Sequence, residues 1–234
     1  MRAQGFAIKA LSIVLTGWNV VLLCPAAVAQ SVQFRPESNT YISLGEKTQL
    51  WLQASTDLGT GRWIDTQIGP SVVFNLEPLV RLRSRSASQP NKAKSRLLTL
   101  AFGYRYIASN GQPENRILLE ANPRFPLPWN VIATDGNKAE LRIIAGTFSW
   151  RYKNGLTLER GFRAGSFNFR PYVRGEVHYD GNYQKWSDTA LCLGTKFPIK
   201  KHTEIEPYYQ HENHTGRAPN RQVEALGLKL NLYF

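Results

Sequence analysis

The chain reads as an all-β protein whose sheet closes on itself as an antiparallel transmembrane barrel, and three observations lead there. Its last nine residues alternate strictly, with Leu226, Leu228, Leu230, Leu232 and Phe234 on one face of a strand and Gly227, Lys229 and Asn231 on the other. A short apolar segment with basic flanks opens the chain. Between the two ends, runs of the same period-two alternation recur, separated by clusters of Gly, Asn, Pro and Ser.

Arg2 and Lys9 flank an apolar run over 10–23, and Cys24-Pro25-Ala26-Ala27-Val28-Ala29 follows with small residues spaced as at a secretory cleavage site. Residues 1–29 are therefore expected to be a cleaved signal peptide and 30–234 a single barrel domain. A retained helical anchor is disfavoured because spanning takes roughly 20 apolar residues. Leu23 before Cys24 is not the small residue that lipid attachment requires. Cys192 then remains as the one cysteine of the mature chain, which excludes an internal disulfide and a paired-cysteine metal motif. The formal net charge of +12 falls to +10 once Arg2 and Lys9 are removed.

Alternation predicts strands near 47–56, 61–69, 72–85, 95–107, 116–126, 130–145, 148–162, 169–180, 184–197, 203–212 and 221–234. Bacterial single-chain barrels have even strand numbers, so either a strand at 40–44 completes twelve or 57–71 is a loop and the barrel has ten; twelve is the expectation. With Phe234 at the periplasmic rim, 108–115 and 213–220 fall outside the cell, and 198–202 and 163–166 are periplasmic turns, as is a long basic turn at 86–94. Pro78, Pro123, Pro171 and Pro207 strain this reading, because each removes a ladder hydrogen bond. A soluble sandwich or calycin-like barrel would turn the apolar face inward. Aromatic residues suited to interfacial girdles, Phe102, Tyr104, Tyr106, Phe148, Trp150, Tyr152 and Phe234, favour the membrane arrangement and a cell outer-membrane location.

The same alternation gathers the charges on the lumenal side. Arg81, Arg83 and Arg85 share a face, as do Glu120 and Arg124; Lys138, Glu140 and Arg142; Arg151, Lys153 and Glu159; and Arg174, Glu176 and His178. Arg105, Asp188, Glu204 and Glu206 extend the set. Opposite charges on neighbouring strands are expected to form an ion-pair lattice, because an isolated charge in a narrow lumen carries a large desolvation cost. Such a lattice either fills a closed structural barrel or lines a narrow polar pore, with the net positive charge favouring anions.

Leu230, Leu232, Tyr233 and Phe234 resemble the C-terminal signal by which outer-membrane barrels are recognised for assembly, and so imply the barrel-assembly machinery as a partner. The runs Arg151-Tyr152-Lys153-Asn154-Gly155-Leu156-Thr157-Leu158-Glu159-Arg160 and Arg170-Pro171-Tyr172-Val173-Arg174-Gly175-Glu176-Val177-His178-Tyr179-Asp180, with Asn137-Lys138-Ala139-Glu140-Leu141-Arg142 before them, resemble the bacterial outer-membrane β-barrel family catalogued as domain of unknown function 2490. Leu50-Trp51-Leu52-Gln53, Phe102-Gly103-Tyr104-Arg105-Tyr106 and Tyr208-Tyr209 fit as well, although Gly136 and Lys138 stand where that family often shows arginines. The resemblance implies a closed outer-membrane barrel and no known activity.

An enzyme reading rests on Gln210-His211-Glu212-Asn213-His214-Thr215, placed in an extracellular loop and similar to the His-bearing strand of outer-membrane lipid-modifying hydrolases. Those enzymes carry a Ser beside the His, whereas here the hydroxyl is Thr215, and two histidines three residues apart on a strand point to opposite faces. The chain is thus expected to be no enzyme, with no cofactor and no metal. Nucleic acid is excluded as a partner because no basic stripe with interleaved aromatics stands clear of the strands. Arg62, Arg116, Arg217 and Arg221 are expected to meet outer-membrane lipids and lipopolysaccharide, on a monomeric barrel.

Overall fold

A computed structural model describes residues 31–59, 62–76, 97–165, 167–216 and 220–234. Twelve strands follow in order: β1 (Ser31–Ser43), β2 (Thr48–Gly59), β3 (Arg62–Leu76), β4 (Leu98–Ser109), β5 (Glu114–Pro126), β6 (Val131–Ile144), β7 (Thr147–Arg160), β8 (Phe162–Ala164), β9 (Phe167–Asp180), β10 (Lys185–Lys200), β11 (Thr203–His214) and β12 (Arg221–Tyr233). Eleven of them close a ring, in which each strand pairs with the next and β10 pairs with β9. The three-residue β8 pairs with β9 alone, as a hairpin extension after the break at Gly161. The expected signal peptide and the predicted strand end carrying Arg81, Arg83 and Arg85, with Pro78, lie outside the described residues.

The ring departs from the expected all-antiparallel closure at one place and, with eleven strands, from the expected even number. β1 runs parallel to β12, from Ser31 opposite Val223 to Tyr41 opposite Tyr233. The predicted strand at 40–44 is thus the end of a 13-residue strand, unnoticed because Pro36, Ser38 and Thr40 replace apolar residues on its outer face. Parallel pairing places the start of β1 at the rim opposite Phe234. The seam reaches the last residue, since Ser43 N donates to Phe234 O and Phe234 N to Tyr41 O, both at 2.8 Å.

A second departure is that 61–69 and the start of 72–85 form one strand, β3, running through Gly69-Pro70 rather than turning there. A Cβ on Gly69 would lie 2.1 Å from the carbonyl oxygen of Tyr104, so glycine here serves close approach of two strands. The prolines explain themselves through the ladders. Pro70 keeps its pairing with Leu52, while the β3–β4 ladder lapses between Ile68–Tyr106 and Ser71–Gly103. Pro207 pairs with Leu228, and the β10–β11 ladder lapses at Thr195 and Lys196. Pro36 and Pro123 behave likewise in the β1–β2 and β5–β6 ladders. Each proline opens one of its strand's two ladders and leaves the other intact. Pro171 differs: it stays paired with Thr195, beyond the last β7–β9 pair at Glu159–Tyr172.

The turns at 44–47, 127–130 and 201–202 lie at the Phe234 rim, and those at 110–113, 145–146 and 181–184 at the other, so the segments expected at opposite ends, 198–202 and 108–115, do lie at opposite rims; the expected long turn at 86–94 lies outside the described residues. Two residues suffice between β6 and β7, with Ala145 and Gly146 both at positive φ. Exposed apolar side chains cover the outer face. Tyr106, Phe148, Trp150 and Trp186 crowd toward one rim, and Phe125, Trp129, Phe162, Phe167 and Phe234 toward the other.

In a Cys192→Ala background, cysteines replacing Asn39 and Asn231, seam partners whose side chains touch in the lumen, are expected to form a disulfide on mild oxidation. A reduced pair in the folded barrel, read by gel mobility after thiol blocking, would contradict the parallel seam.

Candidate functional site: the charged lumen

Inward residues of the strands line a continuous cavity of about 1140 Å³, reached by Asp65, Tyr183 and Arg221 toward one rim and by Tyr41, Trp51 and Tyr233 toward the other. Eight Lys and Arg side chains face nine Asp and Glu in its lining, all among the described residues. The positive excess of the sequence is therefore not displayed in the lumen, which is nearly balanced.

The expected lattice forms, and each element contributes by alternation. On β6, Lys138 reaches Glu120 of β5 at 2.8 Å. Glu140, 1% exposed, is held between Lys153 of β7 at 2.9 Å and Arg116 of β5 at 3.3 Å. Arg142 takes both oxygens of Glu114, donating from Nε at 2.8 Å and from Nη2 at 2.9 Å. Such a forked pair is among the stronger charge-assisted contacts. Asp180 at the end of β9 is shared by Arg151 at 3.0 Å and Arg142 at 3.6 Å. Glu159 of β7 gathers Arg124 at 2.9 Å and Lys196 at 2.8 Å.

Arg174 contacts Glu176 at 3.4 Å along β9, and His178 lies 3.8 Å from Glu176 and 3.7 Å from Asp188. Glu204 receives Arg170, while Glu206 accepts the Tyr172 hydroxyl at 2.7 Å and faces Lys229 at 3.9 Å. Thus every predicted lattice residue among the described ones sits on the lumenal side.

Arg105 is the exception to the pairing, though not to the placement. It is 0% exposed and forms no ion pair among the described residues. Its Nη1 donates to the carbonyls of Pro70 at 2.9 Å and Tyr104 at 2.8 Å, and its Nε to Gln53 at 2.8 Å. These carbonyls flank the lapse in the β3–β4 ladder, so the guanidinium supplies donors where Gly69-Pro70 fails to pair. It also lies over Trp51, 4.8 Å from the ring centre. Trp51 stacks on Tyr41 and Tyr41 on Tyr233, with centres 5.9 and 5.1 Å apart. The four side chains make one pile in the lumen at the Phe234 rim.

Sequence reasoning missed the charges that hold the seam. Arg35 of β1 spans β12 to meet Glu212 of β11 with two hydrogen bonds, 2.6 and 2.9 Å, and touches Asp57 of β2 at 3.3 Å. Glu37 accepts from Asn39 at 2.7 Å and Gln53 at 2.9 Å and faces Lys229 at 3.7 Å. Asn39 donates to Asn231 across the seam at 3.0 Å. The alternation of β1 carried this signal, but its polar outer residues hid it. Arg116, expected at a lipid-facing rim, turns inward; Arg217 and the Arg62 side chain lie outside the described residues.

His211 and His214 stand in β11 rather than in a loop, on opposite faces. His214 joins the lumen, 2.8 Å from Asp188 and 3.1 Å from Glu212. His211 faces outward with Glu224 at 2.8 Å. Thr215, the one hydroxyl near them in sequence, donates to the Ser187 carbonyl at 3.0 Å.

Fold and site together define a closed β-barrel with a charge-lined interior. No protein-family model matches the chain, and no curated protein matches it.

Glu140→Gln leaves Lys153 and Arg116 facing a neutral amide in the wall, and is expected to cost about 3–5 kcal/mol of folded-state stability. Glu176→Gln, at a site where the carboxylate is 24% exposed, is expected to cost about 1 kcal/mol. Urea titration of the detergent-folded barrel, followed by heat-modifiable gel mobility, checks the ranking; equal midpoints would contradict it.

Proposed function

We propose that the chain is an outer-membrane barrel whose hydrated lumen acts as a narrow pore for small polar solutes. The observation that carries this is the continuous cavity of about 1140 Å³ reaching from one rim toward the other between charges paired along its wall. Water fits a polar space of that size. The apolar outer face with its two aromatic bands suits a bilayer. Leu230, Leu232 and Phe234 on the outer face of the last strand, with Tyr233, serve on this reading as the signal for the assembly machinery. Membership of the outer-membrane family catalogued as domain of unknown function 2490 accords with the same picture, as does a role without catalysis.

With acids and bases nearly equal along the lining, the pore discriminates weakly by the sign of charge. The pile of Arg105, Trp51, Tyr41 and Tyr233 narrows it at the Phe234 rim, and this favours a second reading, a structural barrel closed at that end.

Single-channel recording in a planar bilayer under a KCl gradient separates the two. The expected result is small discrete steps, a reversal potential near zero, and a larger step size for Tyr41→Ala. A correctly folded barrel that stays silent in both forms would establish the closed reading.

A further inference from the structure

The outer face carries a polar island within its apolar belt. Lumenal Thr134, Gly136 and Lys138 alternate along β6 with Asp135, Asn137 and Ala139, so Asp135 and Asn137 point away from the lumen. Asn154 and Tyr152 of β7 meet them. Asn154 Nδ2 donates to Asp135 Oδ1 at 2.8 Å and to Asn137 Oδ1 at 3.1 Å. Asn137 Nδ2 donates to Asp135 Oδ2 at 3.1 Å, and the Tyr152 hydroxyl donates to Asn137 Oδ1. The cluster lies mid-strand, between the two aromatic bands, where a carboxylate facing lipid alone is costly.

A local structural cause accounts for part of it. The β5–β6 ladder lapses between Ala121–Asn137 and Arg124–Thr134, and Asn137 Nδ2 also reaches the open Asp135 carbonyl at 3.4 Å. This explains an amide beside unpaired backbone. It leaves the carboxylate unexplained, because among the described residues the side-chain oxygens of Asp135 accept from the two asparagines alone.

Two features say what would cover the island. Its side-chain donors are all spent inside the cluster, which leaves spare acceptor capacity and one negative charge. Beside it the wall forms a notch of about 440 Å³, with Ala121 and Ala139 among its lining, Phe102 and Leu119 alongside, and Asn137 and Tyr152 belonging to both notch and island. Small residues next to hydrogen-bonding side chains are what membrane-embedded protein segments use to pack together.

We propose that this face of β5, β6 and β7 docks a membrane-embedded polypeptide segment that seats an apolar side chain in the notch and brings a Lys or Arg to Asp135. The proposal rests on the membrane-barrel reading above. A second copy of the same face fits poorly, since it brings another Asp135 and no spare donor.

The test uses the protein as isolated from cells, reconstituted into phosphatidylcholine vesicles. The probe is a dansyl-labelled Leu/Ala peptide of about 20 residues, long enough to span, with one central Lys, and the control carries Leu in its place. Energy transfer from the barrel tryptophans reads association. The Lys peptide is expected to bind about tenfold more tightly than the control, a difference of about 1.4 kcal/mol. Asp135→Asn and, separately, Ala121→Trp or Ala139→Trp are expected to abolish the difference while heat-modifiable mobility stays that of the folded barrel. Equal binding of both peptides, or a preference that survives Asp135→Asn, would overturn the proposal, as would cross-linking of two barrels through this face. A chain that does not insert into vesicles at all overturns the membrane reading instead.

Discussion

Closing a sheet on itself leaves one seam that no turn connects, and in this protein that seam joins two parallel strands, the less stable of the two pairings. The lumenal side chains supply what the backbone ladder lacks. Arg35 reaches over β12 to Glu212, Glu37 faces Lys229, Asn39 bonds Asn231, and Tyr41 stacks on Tyr233. In order from one rim to the other, every inward position of β1 from Arg35 to Tyr41 holds a partner on β11 or β12. The charges inside the barrel are therefore part of its closure as well as its lining.

The same economy governs the rest of the wall. Glu140 is placed between cations from the two adjacent strands and Glu159 between Arg124 and Lys196, so their desolvation is offset locally at the wall. Four prolines in the strands each open a short stretch of one ladder. At one of these, Arg105 fills the opening from inside; at another, Asn137 does so from outside. Breaks in the backbone pattern and unusual polar side chains occur together, which ties the fold to both candidate surfaces.

Much of this was legible. Period-two alternation assigned inward and outward faces along β9, β12 and the parts of β6 and β7 away from Asp135, Asn137 and Asn154, where a polar face opposes an apolar one. It failed where a strand lacks that contrast. β1 has Pro36, Ser38 and Thr40 on its outer face, so only its end was recognised and the parallel seam went unseen. Gly69-Pro70 carries the composition of a turn, and only the close approach of β4 shows that the chain continues straight. Pairing partners across the ring, such as Arg35 with Glu212, depend on closure and are invisible to local pattern. Asp135 and Asn137 are legible as outward from the inward positions of Lys138 and Glu140, but their contact with Asn154 and Tyr152 depends on the β6–β7 register.

The barrel's arrangement is inverted, with apolar side chains outside and charged ones inside, and β12 offers its most direct test. Single cysteines at position 226 and at 228 through 231, in a Cys192→Ala chain reconstituted into vesicles, can be titrated with a small charged thiol reagent and separately with a lipid-borne quencher after fluorescent labelling; position 227 is left out because a side chain there would meet the Tyr208 ring. The expected result is that 229 and 231 react with the aqueous reagent and that 226, 228 and 230 are shielded from it and quenched by the lipid. Reaction in the opposite phase, or uniform reaction along the strand, would contradict it.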